Sequence, residues 1–260
     1  MNFVTTTIDN RGVATVTLNN PAKHNAFDDV IISELTQTFE TLNSNADVRI
    51  MILASNGKSF SAGADLNWMK RMANYSREEN LVDAVALADM LKALNFMTKP
   101  TIARVQGATF GGAVGLVSCC DMAVATQRAV FSLSEVKIGL VPATIAPYVV
   151  AAIGQRASRR YFTTAERFDA DKAFNLGLVS QVTNDEQELD EAIAQLVDQL
   201  LTSGPEAMAA AKQLVFDVGD NITDKIIAKT CERIADIRVS PEGQEGLSAF
   251  LEKRSPNWVR

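Results

Sequence analysis

Three stretches of this chain carry residue types that could act on a developing oxyanion. The run Phe60-Ser61-Ala62-Gly63-Ala64-Asp65-Leu66 clusters small side chains immediately ahead of a helical pattern. The run Gly107-Ala108-Thr109-Phe110-Gly111-Gly112-Ala113-Val114-Gly115 does the same ahead of an apolar one. Small side chains let a ligand approach the backbone, and a helix start leaves N–H groups without intrahelical partners. Either run alone reads as tight strand-to-helix packing. Two in one chain would supply two converging donors, which is what an enolate oxygen requires. The third stretch holds Glu135, between Leu133 and Val136 and ahead of a turn from Gly139 to Pro142. A partly buried carboxyl has a raised pKa, which suits proton transfer near neutral pH.

Other chemistries are excluded cheaply. The chain has one histidine, His24, and no GxSxG elbow, so a Ser-His-Asp triad has little to work with and multi-histidine metal sites are impossible. Asn56-Gly57-Lys58-Ser59 ends like a phosphate loop, but the upstream glycine such a loop needs would fall on Ile52. The three cysteines, Cys119, Cys120 and Cys231, have no CxxC spacing, which argues against a disulfide frame or a zinc site and for a reducing compartment, the cytoplasm by expectation. The net charge is −6 and the pI about 5.0, with no basic stripe for nucleic acid. The start MNFVTTTIDNRGV lacks an apolar signal core, and the run Phe110–Ala125 is too short and too interrupted to span a membrane.

The elements that must position these residues can be sketched from periodicity and punctuation. At 260 residues, 47% hydrophobic and 22% charged, with mean hydropathy +0.03, the chain can bury one sizeable core. Phe3–Ile8 and Val13–Leu18 read as a hairpin, followed by a polar loop at 19–25. Asp28 or Asp29 caps a helix to about Leu42. Arg49–Ala54, Thr101–Val105, Met122–Thr126 and Val130–Ser132 read as strands; 56–63 reads as a loop and 107–112 as a glycine-rich turn. Leu66–Asn95 is mostly helical with a break near Asn74-Tyr75-Ser76, and Ala113–Cys120 is a buried helix. From Ile145 onward helices dominate (145–153, 158–163, 169–175, 186–202, 205–218, 222–238 and 242–253), with an extended piece at 177–181. The fold class expected is α/β, with stacked β-β-α units followed by a helical C-terminal subdomain. No residue-level repeat is strict enough to name.

These segments also carry a resemblance. FSAGADLNWM resembles the FxAGADxxxM motif of the enoyl-CoA hydratase/isomerase (crotonase) family, and GATFGGAVGLVSCCDMAVA resembles its GxxxGGGxxLxxxCDxxxA motif. Phe131 to Pro142 is similar to the FxxPExxxGxxP segment, Asn19 to Ala26 to the NxPxxxNA loop, and Phe250 to Arg254 to the FxEKR tail. The resemblance implies a crotonase-type spiral over residues 1–200 and a trimerisation subdomain over 201–260. It implies that Ala64 and Gly112 donate their N–H groups to a thioester oxygen and that Glu135 is the acid/base. It further implies that Lys23 and His24 pass the pantetheine and phosphates of coenzyme A, and that Ala62, Asp65 and Leu66 line its adenine side. Phe250 and Lys253 would reach the coenzyme A of a neighbouring subunit. Coenzyme A is then part of the substrate, with no separate cofactor, metal, nucleic-acid or membrane partner, in a homotrimer or dimer of trimers.

One departure bears on the reaction. Hydratases of the best-known type carry a second glutamate where this chain has Gly115; Ala113 and Ser134 also depart from the family pattern. A lone shuttling glutamate suits Δ3/Δ2-enoyl isomerisation. The wider likeness of 110–170 is to methylglutaconyl-CoA hydratases of leucine breakdown, which favours hydration. Such a substrate has a free carboxylate, so a cation is expected near the acyl pocket, from among Lys70, Arg71, Arg77, Lys137 and Arg156. An isomerase and a non-catalytic acyl-CoA binder are the alternatives.

Overall fold

The computed structural model describes residues 2–219 and 221–259. An antiparallel hairpin, β1 (Val4–Ile8) and β2 (Val13–Leu18), opens the chain with Val4 opposite Leu18. A helix, α1 (Asp29–Ser44), follows; Asp28 caps it by accepting from the Ile31 N–H, and Ile31, Leu35, Phe39 and Leu42 are buried at helical spacing. Three β-β-α turns come next. In the first, β3 (Ile50–Ser55) and β4 (Ser59–Ser61) lead into α2 (Leu66–Met72) and α3 (Arg77–Asn95). In the second, β5 (Thr101–Val105) and β6 (Ala108–Phe110) lead into α4 (Gly112–Cys119). In the third, β7 (Met122–Thr126) and β8 (Val130–Ser132) lead into a 3-10 turn at Glu135–Ile138 and then α5 (Ala146–Thr164). The rest is β9 (Phe168–Asp169), α6 (Ala170–Leu176), β10 (Gln181–Thr183), α7 (Glu186–Leu201), α8 (Pro205–Val218), α9 (Asp224–Val239) and α10 (Pro241–Glu252).

The turns stack as a spiral. The first strand of each enters a six-stranded sheet ordered β1-β2-β3-β5-β7-β10, and the second enters a four-stranded sheet ordered β4-β6-β8-β9. Within both sheets the strands of successive turns are parallel neighbours. Gln106, fully buried, ties the turns together: its Nε2 donates to the Ser55 and Gly57 carbonyls at 3.0 Å, and its carbonyl accepts from Thr126 Oγ1. What repeats is register and connection rather than residue type, so no repeat was visible in the sequence. β4 and β6 lie inside segments expected to be loop and turn. Three residues are too few to display a period of two. The helices expected at 145–153 and 158–163 form one run, α5, kinked at Gly154.

Alternation along β3 divides its side chains between two clusters: Met51 and Leu53 face the main core, while Ile50 and Ile52 face α7. Leu189, Ile193 and Val197 of α7 are buried against Val13, Ile50, Ile102 and Val124, so that apolar face is covered within the chain. Each such side chain contributes about 1.5–3 kcal/mol by leaving water. The last three helices differ. Ala249 is the buried side chain among the described residues of α8, α9 and α10, while Val215, Val239, Phe250 and Leu251 are each more than 70% exposed, as is Ile222 between α8 and α9. No described helix is long and apolar enough to cross a membrane.

Candidate active site

The parallel register of the small sheet does the positioning. Ser61 of β4 pairs with Thr109 of β6, and Thr109 and Phe110 pair with Phe131 and Ser132 of β8. The chain therefore leaves three adjacent strands at one edge, through Ala62–Asp65, Gly111–Gly112 and Leu133–Glu135. The carboxyl ends of parallel strands are where open α/β sheets bind ligands. A cavity of about 440 Å³ opens there, lined by Phe27, Ala64, Trp68, Gly112, Glu135 and Ile145, with α3 and the 139–144 segment closing its walls. Ala64, Gly112 and Glu135, expected from sequence to work together, are brought into this one cavity.

The backbone donors are oriented by their neighbours. Phe27 N–H donates to Gly63 O at 2.9 Å and Asp65 N–H donates to Phe27 O at 3.0 Å, a parallel bridge centred on Ala64. Because N–H directions alternate along extended backbone, the Ala64 N–H points away from Phe27. Gly112 is the first residue of α4, so its N–H has no carbonyl one turn earlier in the helix to pair with. Gly111 ahead of it adopts φ 54, a conformation glycine supplies without strain. A Cβ at Gly111 would also lie 3.2 Å from Glu135 Oε1, so glycine here leaves room for the carboxyl.

Glu135 starts the 3-10 turn closed by Gly139, whose N–H donates to the Val136 carbonyl. Its Oε2 is buried with no hydrogen-bond partner among the described residues. Burial pushes its carboxyl above the usual glutamate range, partly offset by a bond from its own backbone N–H. A buried polar atom left unpaired is costly, and such atoms concentrate where chemistry needs them.

The position of the missing second glutamate is full. A Cβ on Gly115 would sit 2.3 Å from Ile145 Cγ2 and 3.4 Å from Leu91 Cδ2. Sequence reading identified the absence but not Ile145 and Leu91, which fill the space. It also missed Phe27, whose ring lies 2.8 Å from where a Gly112 Cβ would be, and the pair made by Trp68 and Asp83. A tryptophan beside a small-residue turn was the available signal for the last.

The residues expected to contact coenzyme A divide. Lys23, His24, Ala62 and Leu66 are exposed around the end of β4, and Ala62 N–H donates to the His24 carbonyl at 2.9 Å. Asp65 is buried and committed to structure. It caps α2 through the Asn67 and Trp68 N–H groups and accepts from Lys23 Nζ at 2.8 Å. The Lys23 bond, with the two N–H groups, holds its carboxyl below the usual range against the opposing effect of burial. Asp65→Ala should cost about 0.5–2 kcal/mol as a lost cap. Urea unfolding should show it as a lower midpoint at unchanged slope; an unchanged midpoint would remove the capping role. Phe250 and Lys253 lie on or just after α10, exposed and outside the cavity of their own chain.

None of the five candidate cations for a carboxylated acyl group lies in the cavity lining. Lys70, Arg71, Arg77, Lys137 and Arg156 are exposed and none lines the cavity. Arg71 pairs with Asp29 and Arg77 with Glu78. Each of these side chains sits on a solvent-facing position of its element. The cysteines offer no nucleophile near the cavity: burial pushes the Cys119 thiol up and the Cys120 thiol up to about 12.

Known proteins resemble this chain over nearly its whole length. A family model described as enoyl-CoA hydratase/isomerase matches residues 9–260. A crystal structure of an enoyl-CoA hydratase from Shewanella pealeana is 50% identical and superposes with TM-score 0.96, covering 99% of this chain and 96% of that one. One from Mycobacterium smegmatis is 33% identical, TM-score 0.93, with both chains fully covered. The 2,3-dehydroadipyl-CoA hydratase of Escherichia coli is 30% identical over 248 residues, 95% of this chain and 94% of that protein.

Proposed function

The chain belongs to the enoyl-CoA hydratase/isomerase family, and on that premise we propose that it adds water across the C2–C3 double bond of a 2-enoyl-CoA thioester. The observation that carries this reading is the buried, unpaired Oε2 of Glu135 in the same cavity as the Ala64 and Gly112 N–H groups. A protein that only bound acyl-CoA would gain nothing from a buried carboxyl without a partner. In the proposed mechanism Glu135 takes a proton from water as the oxygen bonds to C3. The C2–C3 π electrons move onto the thioester, whose oxygen is held by Ala64 and Gly112. Glu135, now protonated, then returns a proton to C2 as the carbonyl re-forms. One carboxyl acting on one face adds the hydroxyl and the hydrogen on the same side.

Isomerisation is the second reading, favoured by the packing at Gly115, since a single base can also move a proton between C4 and C2. The two differ in ultraviolet absorbance. Conjugated enoyl absorbance should fall when crotonyl-CoA is supplied; a rise with 3-enoyl-CoA and no change with crotonyl-CoA would make isomerase the correct reading. Neither signal, with acyl-CoA bound, would make the chain a binder.

The same packing yields an engineering prediction. Gly115→Glu gains up to about 1 kcal/mol of helix propensity. It also forces a side chain into Ile145 at 2.3 Å, and overpacking of this kind costs about 1–3 kcal/mol or more. The variant should therefore unfold at lower urea and hydrate no faster, with Ile145→Ala restoring part of the stability. A Gly115→Glu enzyme as stable as the parent would show that the space is not occupied as described.

The acyl group we propose is uncharged. Methylglutaconyl-CoA, expected from sequence, carries a free carboxylate, yet among the described residues no lysine or arginine lines the cavity. Lys23, His24, Ala62 and Leu66 would face the coenzyme A moiety. The exposed apolar residues of α8 to α10 support assembly of residues 201–260 with further copies, a trimer or dimer of trimers, onto the spiral core of residues 1–200; residues 220 and 260 lie outside the described residues. In such an assembly Phe250 and Lys253 would approach a neighbouring copy's coenzyme A.

A further inference from the structure

We propose that Asp83 is the selectivity residue of the acyl pocket, disfavouring acyl chains that end in a carboxylate. The inference rests on the reading that this cavity takes acyl-CoA. Asn80, Asp83, Ala84 and Leu87 line the cavity from one face of α3, at i, i+3, i+4 and i+7. Asp83 thus sits on the order of 12 Å along the helix axis from Leu91, the residue that backs onto Gly115. Around it the lining is mostly apolar: Trp68, Met72, Ala84, Leu87, Leu140 and Val141.

Asp83 has a structural partner. Its Oδ2 accepts from Trp68 Nε1 at 3.0 Å, and Trp68 is buried. A buried indole N–H needs an acceptor, but it does not need a charge; an amide or hydroxyl oxygen would serve. The negative charge is therefore surplus to the fold. Among the described residues Asp83 makes no ion pair and no cation shares the cavity lining, so its field is uncompensated there. A second carboxylate about 6 Å away would lose a factor on the order of 10–100 in affinity at an effective dielectric near 20. A methyl group in the same place loses nothing.

Calorimetric dissociation constants for two length-matched pairs, pentanoyl-CoA with glutaryl-CoA and hexanoyl-CoA with adipyl-CoA, test this without needing turnover. In the parent protein the carboxylated member of at least one pair should bind about 10–100-fold more weakly. Asp83→Asn keeps an acceptor for Trp68 and removes the charge, and should shrink that ratio about tenfold. Asp89→Asn removes a charge from an exposed position of the same helix and should leave the ratio as it is. Equal binding of both members by the parent protein overturns the proposal even if no variant folds. So does an unchanged ratio in Asp83→Asn, or an equal shift in Asp89→Asn. A chain that binds these esters with the expected ratio but hydrates no enoyl-CoA would refute the hydratase reading while leaving Asp83's role standing.

Discussion

Glu135→Gln is expected to lower hydration of crotonyl-CoA by about 10³–10⁴-fold. A positioned general acid or base contributes roughly 10²–10⁴, and here one carboxyl would perform both proton transfers with no second carboxylate at Gly115. The loss corresponds to about 4–5.5 kcal/mol of transition-state stabilisation. Acyl-CoA should still bind, because the N–H donors and the apolar walls are untouched. The pH profile carries the same assignment. Burial raises the Glu135 carboxyl, so the acid limb of kcat/KM should lie above the ordinary glutamate value and vanish from the residual activity of the variant. Stability should move in the opposite direction to activity. Between the unfolded pKa, about 4.3, and the raised folded one, the native state holds more protons. Stability therefore falls as pH rises through that window, and the ionised carboxyl is a cost at neutral pH. Removing the charge should therefore raise Tm at neutral pH rather than lower it. Undiminished hydration, or a variant with a lower Tm, would refute this account of Glu135.

How much of this was readable beforehand follows from what each feature depends on. The helix starts were legible because they rest on local chemistry: Asp28 caps α1, α2 begins at Leu66, and the expected break near Asn74-Tyr75-Ser76 separates α2 from α3. The joint position of Ala64, Gly112 and Glu135 was legible only through family resemblance, since it depends on parallel register among strands of three residues. Gly115 was legible as a missing carboxylate, but its meaning was not. Ile145 lies thirty residues further on, and no spacing rule brings it to Gly115. Which charged residues line the acyl pocket was not legible for the same reason. Five of the chain's 25 lysines and arginines were candidates, whereas the cavity is lined by the i, i+3, i+4, i+7 face of α3, which carries an aspartate.

Gly112→Val is the second change expected to have a large effect, and it probes a group that no side-chain deletion can reach. The donor is a backbone N–H, so it can be disturbed only by moving it. A Cβ at Gly112 would meet Phe27 Cζ at 2.8 Å, closer than carbon atoms pack, and Cε2 at a tight 3.3 Å. Phe27 has little freedom to retreat. It is 1% exposed, and its own N–H and C=O are bonded to Gly63 and Asp65 on either side of Ala64. Relieving the clash must therefore shift either the start of α4, which carries one proposed donor, or the bridge that orients the other. Losing one oxyanion donor costs roughly 10²–10³ in kcat, and valine should reach at least that. The clash should be graded and separable. Gly112→Ala should lose less than valine, and Phe27→Leu, which shortens the side chain, should recover more activity in the alanine variant than it changes in the parent. That non-additivity is the signature of direct contact. A folded Gly112→Val enzyme with near-normal kcat would show that the Gly112 N–H does not hold the thioester oxygen. An additive cycle would show instead that activity was lost by some route other than the Phe27 ring.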